Sequence, residues 1–242
     1  MMGFNHVSCG LAAGLATLPL APVHTWSAQT AWVLASGGTA LLPDLDSRQS
    51  TAARMWGPFT VTLAGAVALV ARGHRWGTHD LVLAPLVAAA LTAAAASNPW
   101  TLGILLALVT GLALRGLALA GAGRIGGALN LVVSAATAWW LVTHGATYTP
   151  LLPLVVALGV VIHILGDLLT EEGIPLPILW LLGNRRRIAV RAFHTNSPLE
   201  RILVAPALSL LGVWLFCQRA GIHDLPSLIA WSGDVVGHLT RS

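Results

Sequence analysis

His74-Arg75-Trp76-Gly77-Thr78-His79-Asp80 sets two histidines, an arginine and a carboxylate between apolar runs at 59–71 and 81–96. Only 9% of the chain is charged, so polar groups at this density stand out. Held against lipid-compatible sequence, they are costly unless something pairs with them. Two imidazoles with carboxylates nearby are donors that suit a divalent metal ion. The fold turns on the run that precedes the stretch. If 59–71 crosses a bilayer, the histidines lie on the opposite side from Asp44 and Asp46. If it goes out and comes back, all of them share one side.

Composition makes the bilayer the right solvent. The chain has 242 residues, 56% of them hydrophobic, and a mean hydropathy of +0.77. A soluble domain carries about 25% charged residues, so this is an integral membrane protein. There is no lysine, and the thirteen basic residues are all arginine. They do not interleave with aromatics on a soluble face, which argues against nucleic-acid binding. They are better read as topology signals or contacts to lipid phosphates, with membrane lipids as the expected partners. Cys9 and Cys217 sit in separate apolar runs, form no CxxC, and read as small buried hydrophobes.

Outward from the quoted stretch, apolar runs fall at 7–22, 31–42, 81–96, 100–119, 128–142, 150–169 and 199–216. The first lacks a basic segment before it and reads as a retained first helix, not a cleaved signal. Its Gly and Ala content suits close helix packing in lipid. The first two runs are shorter than the ~20 residues of a full span and are expected to be tilted or packed inside protein. The fold class expected is all-α, a polytopic transmembrane helical bundle of about seven spans plus one re-entrant or interfacial segment at 59–71. Residues 1–217 form a single membrane-embedded domain carrying a metal site, and 218–242 a C-terminal tail without clear signal.

The arginine cluster Arg185, Arg186, Arg187 and Arg191 places the 171–197 loop in the cytoplasm by the positive-inside rule. Counting back puts His163, Asp167 and His79 at cytoplasmic helix ends. Counting forward from a cytoplasmic N-terminus puts His6, Asp44 and Asp46 there too, provided 59–71 does not cross. Arg48, Arg54, Arg72 and Arg75 flank that run on both sides and favour a re-entrant or interface-lying segment.

Four pieces then share one face: Asn5-His6, Pro43-Asp44-Leu45-Asp46, His74 to His79, and His163-xxx-Asp167. The last is at i, i+4 spacing, so both side chains lie on one side of a helix. Together they offer four histidines and three aspartates, more than the four ligands of a closed structural zinc. That excess points to two metals, or to one metal with a general base. Arg75 could hold an anionic substrate oxygen through its fork of donors. Each piece alone has a plainer reading. His6 and the His74–His79 pair could be interface histidines, Asp44-x-Asp46 a solvated turn with a helix cap, and His163 with Asp167 a buried hydrogen-bonded pair. His24, His144, His223 and His238 lie in turns or the tail and read as unengaged.

At these residues the sequence resembles the YdjM-like family of bacterial inner-membrane proteins, described as membrane-bound metal-dependent hydrolases. The resemblance is carried by Asn5-His6 with Gly10, Leu41-Leu42-Pro43-Asp44-Leu45-Asp46, His74-Arg75-Trp76-Gly77-Thr78-His79, His163-xxx-Asp167-Leu168-Leu169-Thr170, and Thr195-Asn196-Ser197-Pro198-Leu199-Glu200. It implies that His6, Asp44, Asp46, His74, His79, His163 and Asp167 are metal ligands or catalytic groups. The ligand types are also distantly similar to those of zinc-dependent phospholipase C. Asp80 stands where the family usually has serine, and Asn196 where glycine is usual; Asp80 could be a further ligand or a partner for His79.

The expected function is a hydrolase of the bacterial inner membrane, its site near the cytoplasmic face. It would bind one or two divalent ions, zinc first, with Mg²⁺ or Mn²⁺ as alternatives. Metal-activated water would attack an ester or phosphoester, a lipid-derived one among the candidates, with Asp46, His79 and Arg75 as catalytic groups. The rivals are an ion- or metal-coupled transporter using intramembrane His and Asp, and a non-catalytic membrane protein with a structural metal.

Overall fold

A computed structural model describes residues 1–144 and 151–239. The protein is 70% helix and 3% strand. Nine α-helices follow one another among the described residues: α1 Gly3–Thr17, α2 Trp26–Thr39, α3 Pro58–Val70, α4 Leu83–Ala96, α5 Pro99–Gly116, α6 Gly123–Thr143, α7 Leu152–Leu168, α8 Ala205–Ala220 and α9 Leu225–Leu239. Helix starts follow familiar chemistry. Thr25 accepts the Ala28 N–H ahead of α2, and Asn98 accepts the Trp100 N–H ahead of α5. Proline opens α3, α5 and α7, where a missing N–H costs nothing.

Helix α2 sits at the centre, against α1, α5 and α7. Missing side chains allow the close approach. A Cβ on Gly10 of α1 would lie 2.6 Å from the Ser36 carbonyl oxygen of α2, and one on Gly38 would meet the Val109 carbonyl of α5. On α7, a Cβ at Gly159 would collide with Thr39. Backbones meet here without intervening side chains, the device used where lipid supplies no hydrophobic drive between helices.

Three helices are long and apolar enough to cross a membrane: Pro99–Gly116, Gly123–Thr143 and Glu200–Ala220, the last counting the π-helical turn Glu200–Val204 that leads into α8. Shorter apolar helices are Pro58–Val70, Leu83–Ala96 and Leu152–Leu168. None of the residues of α8 is buried, and Leu210, Val213 and Trp214 stand fully out from it. Helix α3 has 13 residues, about 20 Å of length, short of the ~30 Å of a hydrocarbon core. The chain leaves the turn Pro43–Asp46, runs out through 47–57, and returns along α3 to a point where His74 Nδ1 is 2.5 Å from Asp46 Oδ1. Residues 47–74 therefore begin and end at the same place.

Two segments hold more structure than their sequence suggests. The 171–197 loop carries a short antiparallel pairing, β1 Ile174–Pro175 with β2 Arg187–Ile188, and a 3-10 turn at Leu179–Leu182. Its N–H groups at Val190 and Ala192 donate to the carbonyls of Leu168 and Leu169, satisfying the end of α7. The tail after 217 carries α9. Asp224 accepts the Ser227 N–H while Ser227 Oγ accepts the Asp224 N–H, a reciprocal cap. Residue 150, where a span was expected to begin, lies outside the described residues, as does the side chain of His238.

Candidate metal centre

The site lies where the start of α1, the ends of α2 and α7, and the turns Pro43–Asp46 and Gly77–His79 meet. Helix α7 presents His163 and Asp167 one turn apart, as their spacing requires. His163 Nδ1 lies 2.8 Å from the Ala40 carbonyl just beyond α2. A carbonyl can only accept, so we assign the proton to Nδ1, which leaves the Nε2 lone pair facing the site. There, 3.1 Å away, is Nε2 of His79. Asp167 Oδ2 is 3.3 Å from His79 Nε2 and 3.6 Å from His163 Nε2. Asp167 Oδ1 is 3.3 Å from His6 Nε2 and 2.6 Å from the α-amino nitrogen of Met1. The His6 ring stacks on that of His163 with centroids 3.8 Å apart. Asp44 Oδ1 lies 3.8 Å from His163 Nε2.

Two overlapping donor groups result, His6–His163–Asp167 and Asp44–His79–His163, each with its ligand atoms within 4.8 Å of one another. Ligands on a tetrahedral zinc shell of 2.0–2.1 Å stand about 3.3 Å apart, and the facing separations quoted run from 3.1 to 3.8 Å around that value. Both ring nitrogens of His6 are buried without a hydrogen-bond partner among the described residues, and Oδ2 of Asp167 has, besides the facing histidines, only the Arg75 ion pair at 3.2 Å. Buried polar atoms are almost always paired, and a cation would pair these. The residues thus fit a divalent metal with nitrogen and oxygen donors.

Asp46 plays a different part from Asp44, two residues before it. Its oxygens take the Arg75 N–H at 2.9 Å, the Thr78 hydroxyl and His74 Nδ1, with His79 Nδ1 at 3.4 Å. Burial alone would raise its pKa, but the bonds from His74, His79 and Thr78 outweigh it and hold the carboxyl well below the usual range. Burial likewise disfavours a charged His79, yet Asp167 and Asp46 pull its pKa up to about 9. Asp46 therefore orients His79 from behind, as outer carboxylates do for metal-binding histidines. His74 is held by the same carboxylate at the mouth of the site, its side chain 45% exposed, outside both donor groups. Of the seven expected ligands, five are brought together in the two groups, and Asp46 and His74 stand beside them.

Arg75 reaches inward. Its backbone is left-handed, φ 63°, which is strained for a side chain of this size. That geometry lets its N–H meet Asp46 while Nη2 reaches Asp167 at 3.2 Å and Nη1 approaches Glu172 at 3.3 Å.

Asp80 does not face the metal donors. One oxygen accepts from Val82 N and Leu83 N, the other from Ile178 N and Trp180 Nε1. It ties the 174–182 segment to the start of α4, which corrects its reading as a further ligand or a His79 partner. Replacing Asp80 by alanine leaves four donors without that acceptor. We expect faster amide hydrogen exchange over residues 176–182 by about 10-fold or more, with metal affinity changed by less than threefold.

Glu200 is the residue for which sequence reasoning found no role. It is fully buried and accepts from Met2 N at 2.5 Å, Asn5 Nδ2 at 2.8 Å and Asn196 N at 2.6 Å. It pins the first turn of α1 and so places His6. The available signal was its position, the one acidic residue at the head of the apolar run 199–216. Among the other histidines, His144 stacks on Trp140 and His194 pairs with Glu171 at the surface. Neither they nor His24 and His223 belong to a donor group among the described residues.

The fold and the cluster together define a helical membrane protein with a buried His/Asp centre able to hold metal. The family model for YdjM inner membrane proteins matches residues 1–122, half of the chain, and the chain belongs to that family. That stretch carries His6, Asp44, Asp46, His74, Arg75 and His79, while His163, Asp167 and Glu200 come from the other half. No curated protein and no solved structure matches the chain.

Proposed function

We propose that this protein is a metal-dependent hydrolase of an ester or phosphoester, working at the cytoplasmic side of the inner membrane. The observation that carries this reading is the two overlapping groups of buried donors that share His163, with the His6 ring nitrogens lacking hydrogen-bond partners, beside an inward-reaching arginine. His6, His163 and Asp167 would hold one cation, with Asp44 and His79 completing the shell or sharing a second ion through His163. The donor set favours zinc. When bound, such an ion supplies Lewis-acid polarisation and lowers the pKa of water. Arg75 holds an anionic substrate oxygen through Nε, which has no partner among the described residues. Both Asp46 oxygens are taken by donors, so the proton moves through His74, which this carboxylate orients at the solvent-facing mouth.

In this reading α1, α2 and α4 to α8 cross the bilayer, and 47–74 is re-entrant. Gln49→Cys and Arg72→Cys in a cysteine-free background are then expected to react with a membrane-impermeant maleimide only from the cytoplasmic side. Ser97→Cys should react only from the other. Labelling of residues 49 and 72 from opposite sides would break the topology.

The activity is tested with zinc-loaded protein on chromogenic phosphomonoesters, phosphodiesters and carboxyl esters. We expect turnover that a chelator removes and zinc restores, reduced at least about 100-fold in His79→Ala. Zinc-loaded wild type that turns over none of them, but moves metal across vesicles, would overturn the hydrolytic reading in favour of a carrier.

A further inference from the structure

Beside the metal centre lies a cavity of about 520 Å³ between α3 and α4, within the range of small-ligand sites. Its inner wall includes Pro43, Leu45 and Thr78, the chain neighbours of Asp44 and His79. Thr78 gives its hydroxyl to Asp46, which leaves its methyl for the cavity. From there the lining is apolar along α4 from Leu83 to Leu91, about 12 Å at helical rise. The outer rim is made of Val70, Val87 and Leu91, which are 83%, 55% and 66% exposed. The cavity therefore abuts the site at one end, with Pro43, Leu45 and Thr78 as the shared wall, and opens sideways at the other, through the apolar surface of two helices. A slot so apolar does not hold ordered water well.

Arginines lie close behind the inner end, though none lines it. Arg75 is buried, with Nε lacking a hydrogen-bond partner among the described residues and Nη1 facing Glu172 at 3.3 Å. Arg72 stacks on Trp180, which lines the cavity, and donates to the Leu181 carbonyl. Arg185 and Arg187 stack on Trp76, next to Arg75 in the chain. An apolar slot with arginines behind its inner wall complements an anionic amphiphile.

We propose that the cavity takes one acyl chain of an anionic membrane lipid, which enters sideways between α3 and α4 and sets its phosphate on Arg75. This rests on the hydrolytic reading and names the substrate of the same site. The expected specificity is for the chain and the anionic head, with the scissile bond where the two meet.

The test uses the full chain in lipid nanodiscs with dodecyl phosphate carrying a terminal diazirine, and peptide mapping after photolysis. We expect label over residues 66–70 and 83–91 at least fivefold denser than over 205–216 of α8, whose residues are all unburied. Excess unlabelled dodecyl phosphate should abolish the difference. Ala88→Phe, which fills the slot, and Val87→Trp, which blocks its rim from an exposed position, should each reduce it at least threefold with metal content unchanged. Equal labelling of the cavity helices and α8 overturns the chain site, even if soluble phosphoesters are hydrolysed. Cavity labelling with no turnover of any ester supports the chain site and sinks the hydrolytic reading instead.

Discussion

Asp167→Asn is expected to lower zinc affinity by about 100-fold or more and to leave no measurable hydrolysis. Asp167 is the group on which the centre converges: it faces His6, His79, His163 and the Arg75 guanidinium. Asparagine keeps its size and one acceptor oxygen but loses the charge that offsets both a cation and Arg75. Changes to groups outside the ligand shell cost 10–100-fold in affinity, and loss of a ligand from the shell exceeds that. Alanine goes further, because it strips Arg75 of a buried partner, and unpaired buried charges cost about 3–5 kcal/mol. Competitive titration with a zinc indicator separates the two variants from Asp80→Ala, where affinity is expected to hold. Wild-type affinity in Asp167→Asn would remove Asp167 from the centre.

The second large effect is on packing. A Cβ at Gly38 would run into the carbonyl of Val109, 2.6 Å from its carbon and 2.8 Å from its Cα, all of it α5 backbone. Backbone cannot rotate aside, so α2 and α5 must separate. Overpacking of this kind costs about 3 kcal/mol, or roughly 6–12 °C in thermal midpoint for a chain of this length. At Gly37 a Cβ meets mainly the Leu11 side chain, which has other rotamers. Gly38→Ala should therefore destabilise far more than Gly37→Ala in a detergent thermal-shift series. It should also weaken metal binding, because Ala40, two residues on, holds His163. Equal midpoints for the two variants would contradict the close crossing of α2 and α5.

Both effects show what could and could not be read from the chain. The membrane class follows from composition, because so little charge cannot solvate a surface. The convergence of the polar clusters is expected if 59–71 is re-entrant or interface-lying, and Asp46 and His74, on either side of that run, stand 2.5 Å apart. His163 and Asp167 share a face because helical geometry leaves no choice. Asp44 and Asp46 carry no such rule. In a 3-10 turn two residues apart they point to different sides, Asp44 toward His163 and Asp46 toward Thr78, His74 and Arg75. Nothing in Asp-x-Asp says which is ligand and which is support. Asp80 was misread for the same reason: its partners, Ile178 and Trp180, lie about a hundred residues away and declare themselves only on folding. Helix α9 had a local signal, Asp224 with Pro226 and Ser227, overlooked because the tail lacks a long apolar run.

The account stands most directly on metal content. His163 belongs to both donor groups, so elemental analysis of purified wild type against His163→Ala tests the centre at its shared point. The expected result is about one or two equivalents of zinc in wild type and none in the variant, with both chains equally helical by circular dichroism. Wild type that holds no divalent metal after equilibration with zinc at neutral pH, or a variant that keeps its full complement, would contradict it.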